Sequence, residues 1–75
     1  PVTDISTVTF YLYKNTAVSI SLINVQGKKI KSVATGIFSA GYHEAQLMVH
    51  ELPAGIYFLE MKTAAETTIH KVFIE

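Results

Sequence analysis

Apolar and polar residues alternate along most of this chain, the period of a β-strand with one buried and one wet face. In Val8–Tyr13, Val8, Phe10 and Leu12 share one face, and Thr9, Tyr11 and Tyr13 share the other. Lys14-Asn15-Thr16 breaks that run. Ala17–Leu22 is the clearest half-buried strand, with Val18, Ile20 and Leu22 inward and Ser19 and Ser21 outward. Ile23 and Val25 then follow on the opposite parity, which implies either cover on both faces or a bulge. Gln26-Gly27-Lys28 reads as a hairpin turn, with Gly27 supplying a positive φ. Its partner strand, Lys29–Val33, is short and polar on one side, as an edge strand is.

Gly36 and Gly41 bracket Ile37-Phe38-Ser39-Ala40, expected to be an irregular apolar loop or a short strand. His43, Ala45, Leu47 and Val49 then alternate with Glu44, Gln46, Met48 and His50. Leu52-Pro53-Ala54-Gly55 is a turn that Pro53 pre-sets. In the strand after it, Tyr57, Leu59 and Met61 form the core face, because Glu60 and Lys62 share the other. Ala64-Ala65-Glu66 turns the chain, and Thr68–Ile74 is the last strand, with His70, Val72 and Ile74 on one parity. No segment keeps a 3.6-residue period. Short strands at spacings of about ten residues with Gly- and Pro-bearing turns predict an all-β fold. We expect an immunoglobulin-like sandwich of about six to seven antiparallel strands, with residues 1–75 forming one domain.

Composition narrows the function classes. Apolar residues are 49% of the 75, enough for one core. Six Lys against six Asp and Glu, with no Arg, give zero net charge, which disfavours a nucleic-acid partner and an anionic membrane surface. There is no Cys to staple the fold. No apolar run is long enough to span a bilayer as a helix. The opening Pro1-Val2-Thr3 has no charged or apolar leader character, so the chain is expected to be a fragment or a mature C-terminal piece.

Catalytic motifs fail on inspection. His43-Glu44-Ala45-Gln46-Leu47 begins like a zinc-protease helix motif, but Leu47 stands where a second His is required. On a strand, residues four apart lie about 13 Å apart, too far to share a zinc ion with bonds near ~2 Å. His43, His50 and His70 are expected to be scattered, without a carboxylate cluster for a metal. Gly27-Lys28-Lys29 lacks the upstream Gly of a phosphate loop, Leu22 standing five residues earlier. No cofactor is implied, and no enzyme activity. Tyr11 and Tyr13 either form an exposed sugar-stacking platform or cover a second sheet. Lys28, Lys29 and Lys31 form a small basic edge that guards against strand pairing.

Three pieces together resemble one family. The first is Leu22-Ile23-Asn24-Val25-Gln26-Gly27-Lys28-Lys29-Ile30, a strand ending in a Gly-Lys turn. The second is Ala40-Gly41-Tyr42-His43, opening a strand that closes at Leu52-Pro53-Ala54-Gly55-Ile56-Tyr57-Phe58-Leu59. The third is the closing Lys71-Val72-Phe73-Ile74-Glu75, with Lys71 fourteen residues after Tyr57. From about Val8 to Glu75 the chain resembles the type A C-terminal sorting domain of cargo proteins of the Bacteroidetes type IX secretion system. That family usually opens with a Pro-Asn-Pro element, and this chain opens instead at Pro1-Val2-Thr3.

The resemblance implies a non-catalytic sorting signal. Such a domain directs its cargo across the outer membrane, and a sortase-like signal peptidase then removes it so that the cargo is anchored at the surface. The implied partners are the outer-membrane translocon and that peptidase. The implied location is the periplasm in transit, then the cell surface or the medium of a Gram-negative bacterium. The motif positions carried over are Gly27, Gly41, Leu52, Gly55, Tyr57, Lys71 and Val72. The first five read as structural, and Lys71, Val72, Phe73, Ile74 and Glu75 are expected to form the recognised strand. A free edge strand also offers a route to dimers. The alternative function is an immunoglobulin-like module of a secreted multidomain protein that binds glycan or protein, or acts as a spacer.

Overall fold

The computed structural model describes residues 5–75; the expectation attached to Pro1-Val2-Thr3 lies outside them. The described residues form six strands: β1 (Ile5–Leu12), β2 (Thr16–Asn24), β3 (Lys29–Phe38), β4 (Gly41–Met48), β5 (Gly55–Thr63) and β6 (Thr67–Ile74). They pair into two sheets, one of β1-β4 and one in the order β3-β2-β5-β6. Every pairing is antiparallel. The two sheets face one another across a shared core, the immunoglobulin-like sandwich the alternation predicts.

Alternation places the core. From β1, Phe10 and Leu12 point inward; from β2, Val18, Ile20 and Leu22; from β4, Leu47; from β5, Tyr57; and from β6, Ile74. These fall into two clusters, one around Phe10, Leu12, Val18 and Ile20 and the other around Leu22, Leu47, Tyr57 and Ile74. Val33 and Leu59 pack against both and join them. Leu22 is completely covered. A domain this small buries only about 60% of the surface its unfolded chain exposes, so each covered side chain carries a large share of a stability of roughly 5–15 kcal/mol.

Three local findings refine the sequence reading. After Leu22 the parity change is cover on both faces: β2 keeps an unbroken register with β5 through Asn24, and Ile23 lies half-buried on the outer face opposite Phe58, while the β2–β3 register shifts leave Val33 and Ile30 of β3 as the extra residues. Ser21, expected outward, is buried, with Ser32 and Glu60 beside it on the neighbouring strands. The stretch expected to end at Val33 instead continues to Phe38, so of the loop or short strand expected at Ile37-Phe38-Ser39-Ala40 the first two residues are strand and the last two are loop. β2 supplies pairing partners the whole way, Thr16 opposite Phe38 and Val18 opposite Gly36, so the hydrogen-bonded ladder overrides the break in the side-chain pattern. Only Ser39 and Ala40 remain as the connection to β4.

The connections between sheets are pinned by specific polar contacts. Asn15 Oδ1 accepts the Ala40 amide at 2.9 Å, tying the β1–β2 turn to the β3–β4 turn. At the other end, the Lys31 ammonium donates to the Met48 carbonyl at 2.9 Å and so bridges β3 to the end of β4. The β4–β5 corner is closed by the Tyr57 hydroxyl, which donates to the Pro53 carbonyl at 2.6 Å while its ring lies in the core. These fixed connections give the sandwich two distinct ends. Gly27, the Leu52–Gly55 corner and the last residues of β6 share one end; Tyr11, Tyr13, Gly41 and Tyr42 share the other.

Candidate functional site

β6 owes its extended form to its β-branched and aromatic content, Thr67, Thr68, Ile69, Val72, Phe73 and Ile74. It starts from a hydroxyl-stabilised turn: the Thr63 hydroxyl accepts the amides of Ala65 and Glu66, both at 3.2 Å, and the Thr63 amide donates to the Glu66 carbonyl at 2.9 Å. From there β6 pairs with β5 along its full length, Thr67 opposite Lys62 through Ile74 opposite Gly55. It stands last in the order of its sheet, so its far side is open. The closing strand is thus paired on one side and reachable on the other.

Alternation divides the five residues expected to be recognised. Ile74 is buried and Val72 half-buried, both packed with Leu22, Leu47 and Tyr57. Lys71, Phe73 and Glu75 are exposed, Phe73 at 70%. On the outer face Phe73 lies opposite Ile56, Lys71 opposite Phe58, and Phe58 opposite Ile23 one strand further in. Ile69, also exposed, faces Glu60. The Lys71 ammonium sits 5.8 Å from the centre of the Phe73 ring, within reach of a cation–π attraction that is weak in water. The result is an apolar strip along a free strand edge with one cation set into it. Single exposed apolar residues are ordinary, but a contiguous group marks a surface that meets something.

The five motif residues lie in turns or near the starts of strands. Gly27 has φ 85° in the β2–β3 hairpin, where the Asn24 side chain accepts the amides of Gln26 and Lys28 at 2.9 and 3.0 Å. An L-side chain in that conformation costs roughly 1–2 kcal/mol. Gly55, at φ 147°, starts β5 beside the Tyr57 corner. Gly41 opens β4, and Leu52 is half-buried in the corner, its amide donating to the Val49 carbonyl at 3.0 Å. Gly27, Leu52, Gly55 and Tyr57 lie at the same end of the sandwich as Val72–Glu75, and only Gly41 lies at the other.

The histidines do not converge. His43 is half-buried, stacked on Phe10 with centroids 5.4 Å apart, and its Nε2 meets the Ser39 carbonyl at 2.6 Å. His50 lies 3.4 Å from Glu51 in the exposed corner, and His70 is exposed on β6. Among the described residues no group of His, Cys, Asp or Glu could hold a metal ion. A cleft of about 510 Å³ opens between the free edges of β1 and β6, floored by Ile20, Leu59 and Met61 and edged by His70. Two features escape the sequence reading. Lys31, expected as mere basic edge, bridges the sheets, and Tyr42 joins Tyr11 and Tyr13. Both depend on strands brought together from distant parts of the chain, and no local pattern announces them.

Tyr11, Tyr13 and Tyr42 are 47%, 89% and 80% exposed. They cover no second sheet, which corrects that expectation for Tyr11 and Tyr13.

Comparison with known proteins agrees with this architecture. No curated protein and no solved structure matches the chain. The family described as the secretion system C-terminal sorting domain matches residues 1–75, the whole chain. The chain belongs to the family of C-terminal sorting domains of the type IX secretion system, whose members direct proteins across the outer membrane of Bacteroidetes.

Proposed function

We propose that this domain engages the outer-membrane translocon of the type IX system through the free edge of β6. The observation that carries the reading is the position of β6 at the end of its sheet, with Lys71 and Phe73 outward. A strand of the receptor adds to the open edge, and its main-chain hydrogen bonds provide affinity. Phe73 and Ile69 fill apolar pockets beside that strand, and Lys71 and Glu75 set its direction. Val72 and Ile74 act from below, by holding the strand flat on the core. Cleavage by a sortase-like signal peptidase and surface anchoring of the cargo follow translocation.

The test is a folded fluorescent reporter carrying an inner-membrane export signal, with this chain fused behind it, in a bacterium that possesses the type IX machinery. The reporter reaches the cell surface or the medium, and stays in the periplasm when the translocon is deleted. Equal distribution with and without the chain would overturn the reading.

A further inference from the structure

The outer face of the β1–β4 sheet differs from every other surface of the molecule. Its outward positions are Ile5, Thr7, Thr9 and Tyr11 on β1 and Tyr42, Glu44, Gln46 and Met48 on β4, all exposed. Register sets Tyr11 opposite Tyr42, Thr9 opposite Glu44 and Thr7 opposite Gln46. Tyr13 extends the aromatic end: its ring lies 5.2 Å from that of Tyr11 at 79°, and Tyr42 lies 4.9 Å away on the other side at 66°. Three exposed rings thus buttress one another, edge to face, into a corrugated surface that needs little further ordering to bind. Unlike Tyr57, none of the three donates its hydroxyl to another described residue.

From this we infer that the face is a binding site for an uncharged polysaccharide. A sugar ring has a flat face of C–H groups and a rim of hydroxyls. The electron-rich faces of Tyr13 and Tyr42 attract the first, and the phenol, Thr9, Thr7, Gln46 and Glu44 groups running away from them along the strands hydrogen-bond the second. Charge selects the class of ligand. Glu44 is the one charged side chain among the eight outward positions, with Lys14 in the turn beside Tyr13. A face so close to electroneutral, with its only central charge negative, repels phosphorylated or sulfated polymers and offers a cationic one a single carboxylate. The polar strip between the tyrosines and Met48 likewise fits a hydroxylated chain better than an apolar protein surface.

The experiment uses the whole 75-residue chain, labelled for amide NMR and titrated with cellohexaose, laminarihexaose and mannohexaose at millimolar concentration. At least one of the three shifts the amides of Tyr11, Tyr13, Tyr42 and Glu44. The double variant Tyr13→Ala/Tyr42→Ala weakens that binding about tenfold or more at an unchanged melting temperature, because both side chains are largely in water. Phe73→Ala leaves it intact. Three outcomes overturn the inference: silence with all three sugars; shifts that survive the double variant; or shifts that follow protein concentration in the absence of sugar, which would make the face a self-association surface. None of these bears on export, so the sorting role stands or falls separately.

Discussion

The two ends of the sandwich are built on the same β ladder but present different chemistry, mixed charged and apolar groups at one and tyrosines at the other. At one end the chain gathers Gly27, the Leu52–Gly55 corner, Tyr57 and the close of β6, where exposed Val25, Ile56 and Phe73 stand among the charged groups Lys28, Lys29, Glu51 and Glu75. At the other, Tyr11, Tyr13 and Tyr42 stand in water above threonines and a glutamate. Most family-motif positions cluster at the first end. Each end has two positive-φ glycines, Gly27 and Gly55 at the first and Gly36 and Gly41 at the other, and the first adds a tyrosine tied to its own corner. The difference teaches that one core can hold the closing strand at one end while the far end carries a separate exposed surface.

That separation is open to attack through the core that joins the ends. Leu22→Ala removes the most completely covered side chain and costs about 2–5 kcal/mol, a large part of a total of roughly 5–15 kcal/mol. Chemical denaturation should show a single transition at lower denaturant, with the tyrosine end and the β6 end lost together. If the tyrosine end kept native amide shifts while β6 melted, the two ends would be independent and the shared core through Val33 and Leu59 would be misread. A smaller effect belongs to one end alone. Tyr57→Phe keeps the ring and loses the hydrogen bond to Pro53, costing about 1 kcal/mol. Hydrogen exchange should quicken in the β4–β5 corner and the last residues of β6 while the Tyr11–Tyr42 pair stays protected. Uniform loosening would contradict the placement of that bond as a local clamp.

Much of this was legible in the residues, and what was not has a common cause. The inward set of β2, Val18, Ile20 and Leu22, follows from period two because one face meets the core and the other does not. Tyr57 reads as a buried ring with a satisfied hydroxyl, since a phenol left unpaired inside is costly. The parity change at Ile23 announced cover on the outer face of β2. By contrast, the continuation of β3 through Gly36 to Phe38 is imposed by β2, not by its own side chains. The pairing of Tyr42 with Tyr11, and the Lys31 bridge to Met48, depend on register between distant strands. Periodicity reports which face a residue takes; it does not report which residue lies across from it. The closing strand was half legible: Lys71–Ile74 end β6, but only the fold sets Lys71, Phe73 and Glu75 in water and Val72 and Ile74 against the core.

The division also decides how the central claim is best measured. Trimming Phe73–Glu75 would remove buried Ile74 and confuse export with folding. Lys71→Ala combined with Phe73→Ala changes two exposed side chains, and its effect on unfolding free energy should stay within about 0.5 kcal/mol. With the fluorescent cargo fusion, the account predicts that this folded double variant accumulates in the periplasm, its surface fraction reduced about tenfold or more, as expected when two anchors of a strand-addition interface are lost. Export at the level of the unaltered chain, with folding confirmed, would contradict the claim that the outward side of β6 is what the secretion machinery reads.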